Sequence, residues 1–279
     1  MREQAQNFDP RQVMRKDSFE VFHYKQPRPG GVEVHHHDFY EVYFLLDGTV
    51  EYWVDGRILK MEPGDLLLIN PMELHRPMLT ENNRIYERIV VWIDKEYLEH
   101  LGDGSLSNCF DSDDPNHSHL IRLRPAERTG ITALLSELVR ESYSREYGSE
   151  LSAYGLFLQF MVGINRLARH RGHREESRQQ SELVQQVLLY IGENLSQSIS
   201  LETLAEHFFV SKYYLSHTFS REVGVSLYRY ITLRRLLLAR QLLSQGIPAG
   251  QVSRSCGFSD YTSFYRAFKS EYGISPKAL

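Results

Sequence analysis

Cysteine is almost missing from this chain. Its two cysteines, Cys109 and Cys256, lie far apart and share no metal-ligand spacing, which argues against a disulfide framework and for a reducing compartment. Also lacking is any run of about 18 uninterrupted apolar residues, the length a membrane helix requires. The opening "MREQAQNFDP" carries no apolar signal segment, so the expectation is a soluble, cytoplasmic protein with no membrane partner. Charge is scarce as an overall bias, with a net of −4 over 279 residues. It is unevenly spread, however. From residue 181 onward ten Lys and Arg face seven Asp and Glu, a net of +3, which leaves 22 against 29, or −7, for the first 180 residues. The later part is the basic one, as a nucleic-acid surface requires, although a solvated helix face has the same composition.

What the chain does contain is two kinds of periodicity. "SFEVFHY", "YEVYFLL", "TVEYWV" and "RIYERIVVWI" are short runs of Val, Ile, Tyr and Trp, with Asp47-Gly48 and Asp55-Gly56 placed for tight turns. "EPGDLLLINP" feeds a Pro-Gly turn into a fully apolar run, the pattern of a strand buried on both faces. These segments predict an antiparallel β-barrel or two-sheet sandwich over about residues 15 to 123. From Pro125 the spacing becomes helical. Ile131, Leu134, Leu135 and Leu138 mark one helix, and Leu151, Tyr154, Phe157, Leu158 and Met161 a second. Both are expected to pack on the barrel, the second having enough apolar circumference to meet another subunit as well. "RHRGHREESRQQS" has no apolar face and reads as a linker at 170–180. The fold class is therefore α+β in two domains: a β domain with appended helices at 1–169, and an all-α domain at 181–279.

The all-α domain contains an internal repeat. "FVSKYYLSHTFSREVGVS" and "FSDYTSFYRAFKSEYGIS" match at an offset of 49, pairing Phe209 with Phe258, Phe219 with Phe268, Glu222 with Glu271, Gly224 with Gly273 and Ser226 with Ser275. Each copy reads as a helix-turn-helix. In the first, Ser200 caps a helix with Leu201, Leu204, Ala205 and Phe208 turned inward, and Ser211 caps a second that ends at Gly224. The outward face of that second helix holds Lys212, Tyr213, Ser216, His217 and Arg221. Its counterpart in the other copy holds Ser259, Asp260, Tyr261, Thr262, Tyr265 and Arg266. These side chains suit base edges and phosphates, with Arg266 the best candidate for a bidentate guanine contact. "SLYRYITLRRLLLARQLLSQG" reads as one helix between the copies, a rod that holds two reading helices roughly 34 Å apart, one turn of duplex. Arg234, Arg235 and Arg240 on that rod are candidates for phosphate contact.

Residues 181 to 279, with "VSKYYLSHTFSREVG" and "CGFSDYTSFYRAFKSEYGISP", resemble the DNA-binding domain of the AraC/XylS family of bacterial transcription regulators. Ser253 stands where that family usually has Ala. Gly250 within the same helix costs about 1 kcal/mol relative to Ala. The amino-terminal half resembles the two cupin motifs through "HHHDFYEVYFLLDG" and "GDLLLINPMELH". The resemblance places His35, His37, Glu41 and His75 where cupin enzymes hold a metal, and three imidazoles with a carboxylate suffice for a divalent ion. In AraC-type sensor domains a similar segment implies instead a pocket for a small molecule, often a sugar, whose hydroxyls these groups also suit. Tyr43, Trp53 and Trp92, with Tyr52, are the rings available to stack on it. The implied protein is a ligand-responsive transcription regulator, not an enzyme, that requires no cofactor. Its partners are double-stranded DNA, an effector of the sugar class, a second copy of the chain and, if it activates, RNA polymerase. The competing reading is a metal-dependent cupin enzyme with an accessory helical domain.

Overall fold

The computed structural model describes residues 12–26, 32–79, 85–114, 117–169, 177–178 and 180–279. The chain divides into two compact units between Arg178 and Gln179.

The first unit is built from β1 (Phe19–Gln26), β2 (Tyr40–Asp47), β3 (Val50–Val54), β4 (Arg57–Met61), β5 (Leu66–Ile69), β6 (His75–Leu79), β7 (Tyr86–Ile93), β8 (Leu120–Ile121) and β9 (Ser177–Arg178). They form a five-stranded sheet ordered β1-β7-β2-β5-β8 and a four-stranded sheet ordered β6-β3-β4-β9. A single bridge between His35 and His75 stands outside the named strands. Among the described residues no ladder joins the two sheets, which share a core between them.

Strand alternation explains how one sheet serves two cores. Tyr40, Val42 and Phe44 of β2, with Val91 and Ile93 of β7 and Leu66 and Leu68 of β5, face α2 (Pro125–Tyr143) and α3 (Ser149–Arg169). The intervening residues Tyr43, Leu45, Leu67, Ile69 and Val90 face Val50, Tyr52, Val54, Leu59 and Met61 of the other sheet. The "LLLI" run is apolar throughout because both of its faces are covered. The two helices pack as expected, Phe157 stacking on Phe19 at 4.3 Å. The inward stripe of α3 is shifted from the one read in the sequence. It runs through Ala153, Phe157, Phe160, Met161 and Ile164, while Leu151 and Tyr154 are exposed.

Between strands and helices lie α1 (Lys95–His100), capped by Asp94, and a short 3-10 turn at Ser105–Phe110. Ser177 and Arg178, expected in the linker, instead add a two-residue strand to the β4 edge, Ile58 opposite Arg178 and Leu59 opposite Ser177. An edge strand offers unpaired backbone groups that any extended segment can satisfy. Of the rest of the expected linker, 170–176 and 179 lie outside the described residues, and Gln180 is buried.

The second unit consists of α4 (Glu182–Glu193), α5 (Leu201–His207), α6 (Lys212–Val223), α7 (Leu227–Ser244), α8 (Ala249–Ser255) and α9 (Tyr261–Tyr272). Its boundaries are set locally. The hydroxyls of Ser200, Ser211 and Ser226 accept from the amides of Thr203, Tyr214 and Arg229, and Gly224 and Gly273 end α6 and α9 in the left-handed region. The unit is two three-helix bundles in series. Glu222, near the end of α6, accepts from the amide and hydroxyl of Ser181 at the start of α4. Its repeat partner Glu271, near the end of α9, accepts from Arg229 at the start of α7 at 2.8 Å. α7 therefore does for α8 and α9 what α4 does for α5 and α6. Its first half is buried through Leu227, Tyr230 and Ile231, Tyr230 meeting Phe219 of α6 edge-on. Its second half packs Leu236 and Ala239 against Val252, Phe264 and Phe268.

Candidate effector pocket and DNA-reading helices

The pocket begins with three histidines whose orientation is set by the backbone. His35, His37 and His75 each donate Nδ1–H to a carbonyl two residues away, Glu33, Phe39 and Glu73 respectively, all at 2.9 Å. A histidine so held presents its Nε2 on the far side of the ring. All three rings are buried. Burial pushes His35 down to about 4, and holds His75 well below the usual imidazole range, helped by its neighbours His35 and His37. Both are neutral at pH 7, and His75 Nε2 has no hydrogen-bond partner among the described residues.

Glu41 lies opposite Trp92 in the β2–β7 ladder, and its Oε2 accepts from the indole N–H at 3.0 Å. The same oxygen is 3.2 Å from His37 Nε2, without a hydrogen bond between them. Each of His37, Glu41 and His75 offers a ligand atom within 4.8 Å of the other two. Two imidazole nitrogens with buried lone pairs and a carboxylate are a donor set that fits Zn, Mn, Fe or Ni. His35, expected as a fourth ligand, stands outside that group. Its ring packs on that of His75, 4.3 Å between centroids, and lines the adjoining cavity.

That cavity, about 40 Å³ in volume, opens beside Glu41 and has room for a few water molecules or a compact polar group. Its walls include His35, Glu41, Tyr43 and Trp92, as expected, and Tyr24, Tyr52, Tyr86 and Arg88, of which only Tyr52 was anticipated. Alternation holds the clue to the rest: Tyr86, Arg88, Val90 and Trp92 share one face of β7, and Tyr24 lies opposite Arg88 in the β1–β7 ladder. Arg88 is buried with its guanidinium over the rings of Tyr24 and Tyr86, 4.7 and 4.5 Å from their centroids. Burial raises the phenols of Tyr24, Tyr43, Tyr52 and Tyr86, so all four remain neutral hydroxyls. The hydroxyls of Tyr43 and Tyr86 touch. Trp53 does not line the cavity. It follows Tyr52 on β3 and so points from the opposite face of the sheet, where it is fully buried.

In the second unit the candidate reading helices are α6 and α9. Lys212, Tyr213, His217 and Arg221 are exposed on α6, and Ser216 is half-buried. Lys212 Nζ reaches Glu202 at 3.1 Å, and Arg221 lies 3.4 Å from Glu222; both pairs are open to water and weak. On α9, Tyr261, Thr262 and Arg266 are exposed and Tyr265 half-buried. Asp260 caps the helix, accepting from the amide of Ser263 at 2.8 Å and from the hydroxyls of Ser259 and Ser263. Ser259 and Asp260 thus bond at the helix start while remaining exposed.

The repeat needs one correction. The reading helices superpose at the expected offset of 49, but the helices before them are offset by 48. Phe208 N bonds to Leu204 O as Cys256 N bonds to Val252 O, and Val210 N to Ala205 O as Phe258 N to Ser253 O. Phe209 therefore corresponds to Gly257, both with positive φ (55° and 75°). Phe258, which it matches by letter, packs into the core of its bundle. One extra turn residue in the second copy accounts for the difference.

Two of the three rod arginines named for phosphate contact make contacts within the unit. Arg235 donates to Leu195 O at 3.1 Å and Gln197 O at 2.6 Å, and Arg240 lies over the ring of Tyr272 at 5.1 Å.

Comparison with known proteins gives matches along both parts of the chain. The profile of the AraC-like ligand binding domain matches residues 19–190, and that of a helix-turn-helix domain matches 204–279. The chain is 23% identical over 252 residues to the HTH-type transcriptional activator RhaS of Escherichia fergusonii, covering 90% of this chain and 88% of that protein. It is 24% identical over 248 residues to the uncharacterized HTH-type transcriptional regulator YfiF of Bacillus subtilis, covering 87% and 77%. Among solved structures, the C-terminal domain of AraT from Geobacillus stearothermophilus is 32% identical over 36% of this chain and 85% of that one, with a TM-score of 0.35. With a ligand domain matched over more than half its length and paired helix-turn-helix units behind it, the chain belongs to the AraC family of DNA-binding transcription regulators.

Proposed function

We propose that this regulator binds a compact, hydroxyl-rich metabolite, a sugar or a close relative, one hydroxyl-bearing end of which enters the cavity beside Glu41. We further propose that the ligand alters how Lys212, Tyr213, Ser216, His217 and Arg221 on α6 and Tyr261, Thr262, Tyr265 and Arg266 on α9 engage double-stranded DNA. The observation that carries this reading is the lining of the cavity. Neutral phenols, a buried guanidinium, a carboxylate and an indole in one small space match alternating hydroxyls and C–H faces. The role is recognition, not catalysis, and its place of action is the cytoplasm, where operator DNA is. Because linkage is reciprocal, DNA must shift ligand affinity by the factor by which ligand shifts DNA affinity.

His37, Glu41 and His75 would hold a divalent ion, which when bound supplies Lewis acidity next to the ligand. A thermal-shift screen of aldoses, polyols and sugar acids, with and without Zn²⁺ or Mn²⁺, tests both halves of the reading. A selective rise in Tm is expected for one chemical class, lost in Glu41→Gln while DNA binding without ligand persists. A flat response to every compound would defeat the ligand reading, and metal-independent melting would defeat the metal site.

A second copy of the chain is the further partner. Leu151, Tyr154, Leu158 and Val162 recur at helical spacing on α3, with Leu151 74% exposed. Light scattering at micromolar concentration should report a dimer that Leu151→Glu dissociates; a monomeric wild type excludes it. Should the protein activate transcription, RNA polymerase joins these partners.

A further inference from the structure

Phe209 makes two choices that cost stability. Its φ of 55° lies in the left-handed region, where a bulky side chain crowds the backbone. Its side chain is 96% exposed, so burial returns nothing. The turn itself does not demand this, because the corresponding residue of the other copy, Gly257, adopts the same conformation without a side chain. Nor is Phe209 isolated. Two residues later Ser211 caps α6, and the exposed Lys212 and Tyr213, itself 80% exposed, open that helix. An apolar ring, a cation and a second ring thus gather at the end of a reading helix that enters the major groove first. The groove's one apolar feature is the C5-methyl of thymine.

We propose that Phe209 is a DNA-contacting residue that packs against a thymine methyl at the edge of the site read by α6. The inference rests on α6 being a reading helix. DNA is favoured over a protein partner because the exposed ring lies two residues before the N-cap of that helix, an end whose remaining free amides suit phosphate.

The test uses full-length protein and duplexes selected from a random pool by the wild type. Phe209→Gly should melt no lower than wild type, since the backbone strain is relieved. It should nonetheless bind the selected duplex about four-fold more weakly, the worth of burying one methyl. The slope of affinity against salt should not change, because no phosphate contact is lost. Phe209→Tyr should keep most of the affinity. Replacing one thymine by deoxyuridine should reproduce the loss in wild type and add nothing to it in the glycine variant.

Equal affinity of Phe209→Gly and wild type would overturn the proposal. So would a fall in Tm that accompanies the weaker binding, which would make the residue structural. Loss of transcriptional output with DNA affinity intact would assign the ring to a protein partner instead. Failure of the wild type to select any sequence would count against α6 as a reader, and so against more than Phe209.

Discussion

Gly257→Ala should cost about 3 kcal/mol or more, and with it the second DNA-reading helix. At φ 75° a Cβ is already unfavourable, and here it would also stand 2.3 Å from Leu195 O and 2.9 Å from Arg235 Nη2. A flexible side chain could yield, but the carbonyl cannot. Leu195 O is where Arg235 donates, and that bond joins the end of α4 to α7. Relief would have to break it or shift the α8–α9 turn, adding about 1 to 3 kcal/mol of overpacking to the backbone strain. Urea unfolding of the full chain should show the C-terminal transition moved to much lower denaturant, with DNA affinity reduced in parallel. Gly250→Ala is the control. A Cβ at Gly250 meets nothing within 4 Å, so alanine there should be neutral or stabilising by up to about 1 kcal/mol. If both variants melt like wild type, the close approach at Gly257 does not exist in solution.

Acid should weaken the ligand-binding unit well before the carboxylates protonate. His35 is pushed down to about 4, and His75 lies well below the usual imidazole range, because burial disfavours their charged forms. In the unfolded chain both titrate near 6.5. Between about pH 6.5 and 4 the unfolded state therefore takes up protons that the folded state refuses, and stability falls as pH falls. Above about 6.5 the contribution is complete. For His35 alone the full difference is on the order of 3 kcal/mol, and His75 acts in the same direction. Asp65, raised by burial, works the opposite way, but only as pH enters the carboxylate range. Chelator-treated protein should lose denaturation midpoint steadily from pH 7 to 5. His35→Asn, which keeps a donor for Glu33 O, should remove a large share of that slope. A midpoint unchanged across this range would mean these rings are hydrated and not buried.

How much of this could be read in the sequence depended on how local each cause was. The helix ends of the second unit were legible because Ser200, Ser211, Ser226 and Gly224 act on their own turns. β2, β3 and β7 were legible as short runs rich in Val, Ile, Tyr and Trp, and β5 as a fully apolar run. β4, "RILKM", and β6, "HRPML", were not, since each is short and interrupted by charge, and only pairing with β3 makes them strands. β9 depends entirely on a neighbour more than a hundred residues away. In the pocket, the histidines and Glu41 stood out by spacing. Tyr24, Tyr86 and Arg88 did not, because parity shows which residues share a face and only the packing of the second sheet decides which face is inside. Trp53 fell on the wrong side for that reason. The repeat misled once, where Phe209 and Phe258 agreed in letter but not in place.

α7 belongs to both bundles at once, closing the first and opening the second over 18 residues, about 27 Å of continuous helix. A tether of loose residues would let two readers slide apart to suit operators of different length. A shared beam denies that freedom, so, on the function proposed above, the number of base pairs separating two half-sites is part of the message.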